Sequence, residues 1–239
     1  MPKLGMEPIR RAQVIRAVIE SIADDGLEAM TMDDVAKRAQ VSKGVVNYYF
    51  NSKRDLLQQS FQAFLESYYQ QIADLIQADM TALEMLSVVI AICFPEGDVA
   101  LQLWQHDPKL KDKVQPGQKP EFIYPIDKLG KVFVHFLSRT VLDEAFEAVY
   151  QAVYRTYLEG TKAIIEHGID TKEFRCVNAQ EAAFGIMALI EGLVLYRNVG
   201  FNPMTATGYR SLCLNFIKQH LIIKPANASN VGTLFFNVK

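Results

Sequence analysis

The stretch that decides the fold runs from Thr31 to Lys53 and reads TMDDVAKRAQVSKGVVNYYFNSK. It predicts two short helices joined by a tight turn. Thr31 and Asp34 form a Thr-x-x-Asp capping box, which is a start signal for the first helix. Ser42 is a favourable N-cap for the second helix, which we place at Lys43 to Tyr49. The turn therefore lies at Gln40-Val41.

The second helix is only about two turns long, and a helix of that length is not stable by itself. Val46 and Phe50 lie one turn apart and anchor it to a core. Its first turn carries no Asp or Glu, which leaves the positive end of the helix dipole and Lys43 free for an anion. This pattern is typical of a helix displayed for recognition, although an ordinary helical hairpin with solvated polar residues explains it equally well. The outward-facing residues are Ser42, Lys43, Gly44, Val45, Asn47 and Tyr49.

The same stretch resembles the N-terminal DNA-binding domain of the tetracycline-repressor (TetR) family of bacterial regulators. The resemblance implies a dimeric repressor with a ligand-binding C-terminal domain. The chain departs from the family at Asn47, where Tyr is frequent, although a subgroup resembling the choline-responsive repressor has a small polar residue there. The segments that carry the resemblance are Thr31 to Ala36, Ala39 to Ser42, Tyr48 to Phe50, and Lys53.

The resemblance also implies how the helix-turn-helix meets double-stranded DNA. The helix headed by Ser42 is expected to enter the major groove. Lys43, Gly44, Val45 and Asn47 are then nearest the base edges. The residues expected at phosphates are Thr31, Tyr48, Tyr49 and Lys53.

Composition neither requires nor excludes a nucleic-acid partner. The 239-residue chain has a formal net charge of −2, so it is not basic as a whole. Residues 1–60 hold nine basic and eight acidic side chains, which is a slight positive excess. A one-sided display of positive side chains can still bind DNA. Half of the residues are hydrophobic and 22% are charged, as in an ordinary soluble globular protein.

Signals of enzymes, cofactors and metal sites are missing from the sequence. The four His residues stand far apart, and the chain has no P-loop, GxGxxG or GxSxG motif. We therefore expect no enzyme activity, no cofactor and no metal. Cys93, Cys176 and Cys213 form no CxxC pair, which favours reduced, buried thiols. We expect a cytoplasmic protein with no membrane partner, because the apolar run Ala182 to Tyr196 is short and interrupted by Glu191.

Hydrophobic periodicity predicts helices throughout, so the expected fold class is all-α. A capping box at Ser52 to Asp55 opens a helix whose apolar stripe continues over about six turns to Leu75, which connects an N-terminal head to a larger body. We predict a three-helix helix-turn-helix DNA-binding domain at 1–52, a helical ligand-binding and dimerisation domain at 53–224, and a C-terminal tail at 225–239. The other predicted helices are Ile9 to Ala23, Thr81 to Phe94, Val99 to Gln105, Ile126 to Leu137, Val141 to Glu166, Ala179 to Tyr196 and Thr205 to Ile223, with a Pro-rich loop at 107–125.

Three tyrosines at helical spacing, Tyr150, Tyr154 and Tyr157, suggest a ligand pocket in the body. A buried tyrosine hydroxyl needs a hydrogen-bond partner, so such a cluster suits a cavity that holds water or a small-molecule effector. An ordinary aromatic core explains any single one of them better. A mostly apolar or aromatic ligand is the expectation. The other candidate ligand residues are Phe94, Trp104, His135 and Phe146.

The last two predicted helices are unusually apolar around their circumference. One face can serve the protomer's own core, and the remainder suggests a second covered face. We expect a two-fold, four-helix interface between two copies of the chain, as in the resembled family. The alternative is that both helices are central to one large core. The candidate interface residues are Ile186, Leu189, Leu193, Leu212 and Phe216.

The sequence thus predicts a homodimeric, ligand-responsive transcriptional repressor whose partners are a double-stranded DNA operator and a small-molecule effector. Two other functions are compatible with the same pattern. One is an all-α small-molecule carrier or enzyme that uses the helix-turn-helix only as scaffold. The other is a protein-interaction module that displays Tyr48 and Tyr49 to a partner protein.

Overall fold

The computed structural model describes residues 7–94, 126–201 and 203–222. Within these ranges the chain forms nine α-helices and one isolated β-bridge, between Phe174 and Ile222, so the predicted all-α class is confirmed. The predicted helix at Val99 to Gln105, the loop at 107–125 and the tail at 225–239 lie outside the described residues. The helices are α1 (Glu7–Asp25), α2 (Met32–Arg38), α3 (Lys43–Tyr49), α4 (Lys53–Leu75), α5 (Ala82–Cys93), α6 (Ile126–Thr140), α7 (Glu144–Asp170), α8 (Ala179–Asn198) and α9 (Ala206–Leu221).

The head consists of α1, α2, α3 and the first turns of α4. Its centre is formed by Val14, Val35, Val46 and Leu56, all of them fully shielded from solvent. The turn between α2 and α3 is made by Gln40, whose φ of 53° lies in the left-handed region. The amide of Val41 then donates to the carbonyl of Ala36 at 3.0 Å and closes the predicted turn.

The long helix α4 joins the head to the body, which comprises the rest of α4 and α5 to α9. Phe61 on α4 stacks on Phe136 of α6 and on Phe146 of α7, with ring centroids 4.8 and 6.0 Å apart. These three rings belong to the same hydrophobic cluster as Val14 and Val46 of the head. Packing is therefore continuous across the position where the sequence placed the domain boundary.

Two predicted helix limits near α7 are wrong. The helix starts at Glu144 and not at Val141, because Asp143 caps it by accepting a hydrogen bond from the Ala145 amide at 3.0 Å. It also continues past its predicted end at Glu166, through Gly168 to Asp170. A Cβ at Gly168 would lie 2.3 Å from the Phe174 ring. The lack of a side chain at this position therefore lets the Phe174 ring pack directly against the helix backbone.

The first helix begins earlier than predicted, at Glu7. The remaining helices agree with their predicted positions to within a few residues. In the structure Thr81 forms a full capping box with Glu84, and Thr205 caps α9.

Candidate nucleic-acid interface and ligand cavity

The short helix α3 has one face buried in the head and the opposite face exposed to solvent. Ser42 accepts a hydrogen bond from the Val45 amide at 3.4 Å, which caps the helix start. Val46 and Phe50 are buried in the head core, and α3 packs on α2. Ser42, Lys43, Gly44, Asn47 and Tyr48 are exposed, while Val45 and Tyr49 are half-buried. The outer face thus carries the side chains that the sequence placed there.

Lys43 has an acidic neighbour that the sequence analysis missed. Its ammonium group lies 3.0 Å from the carboxylate of Asp33 on α2. The prediction that Lys43 has no acidic partner is wrong, because it rested on the residues of α3 alone and Asp33 belongs to α2. Both side chains are more than half exposed, so the pair is worth only about 0–1 kcal/mol and a phosphate group can replace Asp33.

Three further candidates for phosphate contacts stand at the borders of the helix-turn-helix. Thr31 is exposed ahead of α2, and its hydroxyl caps that helix by accepting from the Asp34 amide at 3.2 Å. Tyr48 is 67% exposed and packs edge-to-face on Tyr49 with ring centroids 5.0 Å apart. Lys53 lies at the first position of α4 and forms no ion pair within the described part of the chain. These side chains offer hydroxyl and ammonium donors on and beside α3.

The body contains a cavity of about 100 Å³ between α4, α5, α6, α7 and α8. Its walls are mostly aromatic and aliphatic, and four tyrosines contribute to them: Tyr68, Tyr69, Tyr154 and Tyr157. We refer to it as the tyrosine cavity. It lies at the position where the sequence predicted a pocket along α7.

The tyrosines form one contiguous cluster. Tyr69 stacks on Tyr157 with ring centroids 4.6 Å apart, and Tyr154 stacks on Tyr150 at 3.9 Å. Burial raises the pKa of Tyr154 and Tyr157 well above the ordinary value, so their hydroxyls stay protonated. The hydroxyl of Tyr68 donates to the Cys93 sulfur at 3.0 Å. The cavity is therefore bordered by ring faces whose hydroxyls remain hydrogen-bond donors.

One carboxylate enters this aromatic environment. Glu191 of α8 lines the cavity, and its Oε2 accepts a hydrogen bond from the Tyr150 hydroxyl at 3.2 Å. Its Oε1 is shielded from solvent and has no hydrogen-bond partner among the described residues. Burial raises the pKa of Glu191, and the hydroxyls of Tyr154 and Tyr150 only partly oppose this effect. Glu191 is therefore an acidic group with one unpaired oxygen, among the described residues, in the wall of a mostly apolar cavity.

Glu191 is a candidate site residue that the sequence did not predict, since it was noted only as an interruption of an apolar run. A single acid in the middle of a helix that is apolar on every side was the signal that could have identified it. Such a residue must find partners inside the protein or mark a polar site.

Several predicted ligand residues do not line the cavity, and one of them, Tyr150, is connected to it only through its hydrogen bond to Glu191 and its stacking on Tyr154. Phe94 is fully buried and stacks on Tyr209 of α9, with ring centroids 5.2 Å apart. Phe146 is buried in the cluster that joins head and body. His135 lies beside Gly26 at the head, because it occupies the other side of α6. Trp104 lies outside the described residues. Periodicity places residues on a helix face, but it does not tell which neighbour that face meets.

The candidate dimer surface is divided between core and exterior. Ile186 is 3% exposed and packs inside its own protomer, so it offers no external surface. Leu189, Leu193 and Phe216 are half-buried, and Leu212 is exposed. Three further apolar side chains of α8 are exposed and do not belong to the predicted interface set: Phe184, Leu195 and Tyr196.

The helix α8 is apolar beyond the needs of the protomer core. Its length and composition would suffice to cross a membrane, a test that core helices of soluble proteins also pass. Only 22% of its apolar window is buried inside the protomer. Since it is one weakly apolar helix packed on α7 and α9, it does not indicate a membrane protein. Its outer side has the character of a surface that becomes covered on association.

Comparison with known proteins identifies both parts of the chain. Residues 14–59 match the family model of bacterial regulatory proteins of the tetR family, and residues 127–222 match that of the C-terminal part of BetI-type transcriptional repressors. The HTH-type transcriptional regulator BetI of Klebsiella pneumoniae (strain 342) is 28% identical over 233 residues, covering 92% of this chain and 98% of that protein. BetI of Escherichia coli (strain K12) is 28% identical over 221 residues with the same coverage.

Solved structures share the fold over nearly the whole chain. A transcriptional regulator from Saccharomonospora viridis in complex with choline superposes with a TM-score of 0.69 at 19% identity, covering 91% of this chain and all of that one. A TetR transcription regulator from Haloarcula marismortui gives a TM-score of 0.70 at 18% identity, covering 90% and 99%. The described helix-turn-helix, the helical body and these matches show that the chain belongs to the tetR family of bacterial regulatory proteins and is a DNA-binding transcriptional regulator, not an enzyme.

Proposed function

We propose that the protein is a homodimeric repressor that leaves its operator when a small organic cation enters the tyrosine cavity. The observation that carries the effector assignment is the unpartnered oxygen of Glu191 among tyrosine rings. The observation that supports DNA binding is the exposed outer face of α3. Since a repressor acts on chromosomal DNA, we place it in the cytoplasm.

On DNA, α3 enters the major groove with its first turn at the base edges. Lys43, Gly44, Val45 and Asn47 read the sequence. The Asn47 amide suits adenine, and the Val45 methyl groups suit the methyl group of thymine. The contacts to phosphates come from Thr31, Tyr48, Tyr49 and Lys53, which fix the position of the helix in the groove.

A cation fits the tyrosine cavity better than the apolar ligand expected from the sequence. An apolar molecule would bury Glu191 without a partner for its free oxygen, which costs about 1–3 kcal/mol or more. A quaternary ammonium group instead pairs with the carboxylate and lies against ring faces, an interaction of about 0.5–2 kcal/mol for each favourable ring. The choline complex of a protein that shares this fold supports choline as the first candidate.

Dimerisation supplies the geometry that the switch requires. The exposed apolar side chains of α8 and α9 can form a two-fold four-helix interface with a second copy, built around Phe184, Leu212 and the half-buried Leu189, Leu193 and Phe216. Two α3 helices then meet two half-sites whose separation on DNA is fixed. Any change in the separation of the heads lowers the affinity for the operator.

The cavity is connected to the heads by two of its walls. Helix α4 contributes Phe64, Leu65, Tyr68 and Tyr69 to the cavity and begins at Lys53 beside the DNA. Helix α6 contributes Leu129 and contacts α1 of the head. An effector that displaces either helix is therefore coupled to the position of the reading helices.

The test combines operator selection with effector release. Purified protein selects its binding sequences from random duplex DNA, and choline or its uncharged analogue 3,3-dimethylbutan-1-ol is then added. We expect choline to release the DNA and the uncharged analogue to have no effect. Glu191→Gln should keep DNA binding and lose the response to choline, while Glu159→Gln, an exposed position on α7, should behave as wild type. Equal release by both compounds would reject the cationic effector.

A further inference from the structure

The tyrosine cavity is lined by two side chains of opposite charge that do not pair with each other. Glu191 and Arg197 both lie on α8 and both line the cavity. Arg197 comes six positions after Glu191. This spacing corresponds to about 9 Å along the helix axis and places the two residues on different sides of the helix. Neither forms an ion pair within the described residues. The cavity therefore presents an acidic and a basic group at two separate positions.

The basic group is suited to bind an anion. The guanidinium of Arg197 is charged at every physiological pH and offers several N–H donors in one plane, which match a carboxylate. Arg197 is half-buried and lies in the last turn of α8. A residue there can also serve simply to offset the helix dipole. That role, however, does not require the side chain to line the cavity.

The surroundings of Arg197 are tightly defined. The neighbouring Asn198 donates through Nδ2 to the carbonyl of Val194 at 2.7 Å. It packs directly against Gly130 of α6, where a Cβ would lie 2.2 Å from that nitrogen. The absence of a side chain at Gly130 thus lets α6 and α8 close together at the end of the cavity that contains Arg197. Gly130 and Asn198 both line the cavity.

We infer that the natural effector is a zwitterion, whose cationic group pairs with Glu191 among the tyrosines and whose anionic group pairs with Arg197. This inference rests on the proposed cationic effector and specifies its other end. A simple cation neutralises Glu191 but leaves Arg197 without a partner among the described residues. A trimethylammonium carboxylate satisfies both charges and adds no net charge to the protein interior.

The size of the cavity indicates the length of this zwitterion. A volume of about 100 Å³ accommodates on the order of seven to ten water-sized groups. The two charged residues stand about 9 Å apart along the axis of α8. A ligand with about three methylene groups between its charges therefore fits better than one with a single methylene group.

Calorimetric titration of the full-length protein tests this inference with a matched pair of ligands. One is 4-(trimethylammonio)butanoate, and the other is its methyl ester, which has the same cationic end without the negative charge. We expect the zwitterion to bind about tenfold or more tightly than the ester. In Arg197→Gln this preference should disappear while affinity for the ester stays within about twofold, and Arg197→Lys should restore part of it. Arg155→Gln, an exposed arginine on α7, is the control.

The outcomes separate this inference from the proposed function. Equal affinities of wild type for the zwitterion and the ester, or an equal loss of both in Arg197→Gln, would overturn the role of Arg197 and leave the cationic effector intact. If neither ligand nor choline binds, or if Glu191→Gln binds them unchanged, the cationic effector is rejected and this inference with it. Circular dichroism and retained DNA binding verify that each variant is folded.

Discussion

Arg54, in the first turn of α4, is bound by both carboxylate oxygens of Asp143, the residue that caps α7. Its Nε donates to Oδ2 at 2.8 Å, and a terminal nitrogen donates to Oδ1 at 2.7 Å. The Arg54 hydrogen bond is the main cause that lowers the pKa of Asp143 to about 2. This ion pair joins the start of the helix beside Lys53 to the start of the helix that carries the tyrosines. It links the proposed DNA-binding surface to the helix that forms one wall of the cavity.

Asp143→Asn should weaken the coupling between effector and operator. Asn keeps the acceptor that caps α7 but removes the charge that binds Arg54. The quantity of interest is the ratio of operator affinities without and with saturating effector. Coupling of this kind is typically about 5- to 150-fold, or about 1–3 kcal/mol, and we expect the ratio to decrease severalfold in the variant. Fluorescence anisotropy of labelled operator with and without effector measures it. If Asp143→Asn and Arg54→Ala, singly and together, all leave this ratio unchanged, the ion pair has no part in the switch.

Lys53→Ala should weaken binding to all DNA sequences and not to the operator alone. A phosphate contact contributes through counterion release, so its loss reduces the slope of log K against log salt by about one unit. The measurement is operator affinity over a series of salt concentrations. Lys131→Ala, at an exposed lysine of α6 in the body, should leave the slope as it is. An unaltered slope in Lys53→Ala would remove this residue from the interface.

Asn47→Ala should alter sequence preference more than general affinity. The amide lies exposed on the outer face of α3, where a bidentate contact with adenine is worth about 1–3 kcal/mol of discrimination. Selection from random duplexes should then show one relaxed position in each half-site, while affinity for unrelated DNA stays the same. A uniform loss at every sequence would contradict base recognition by this residue.

Phe184→Glu should separate the dimer without unfolding the protomer. The Phe184 ring is 65% exposed on α8, so the change creates no cavity in the protomer core. A charge in a covered apolar interface should raise the dimer dissociation constant by about tenfold or more. Sedimentation velocity at several concentrations measures it. Val141→Glu places the same charge at an 82% exposed residue between α6 and α7, and it should remain dimeric. Identical sedimentation of the two variants would place the interface elsewhere.

Effector affinity should fall as the pH is lowered through the raised pKa of Glu191. A cation pairs with the ionised carboxylate, and burial favours its protonated form, so binding must release a proton when the pH is near that pKa. Affinity is therefore highest above the raised pKa and lost below it. Titrations with choline over a pH series, in buffers of different ionisation enthalpy, reveal the released proton. In Glu191→Gln the remaining affinity should not vary over this range.

The parts of this protein that the sequence predicted well depend on neighbours along the chain. The caps at Thr31, Ser42 and Ser52, the turn at Gln40, and the spacing of Val46 and Phe50 are local signals, because a helix start and a helix face are set by residues within one or two turns. The helix-turn-helix and its outward face follow from these signals. The same holds for the apolar excess of α8 and α9.

Tertiary structure decided which helix faces meet, and with them the chemistry of the cavity. The Asp33 partner of Lys43, the Arg54–Asp143 pair and the place of Glu191 among tyrosines each join residues that are distant or unremarkable in sequence. Phe94 and Phe146 have the same local pattern as cavity residues and yet fill the core. Helical periodicity predicts which side chains face the protein interior. Only the packing of whole helices determines whether such a side chain meets a neighbouring ring or an open cavity.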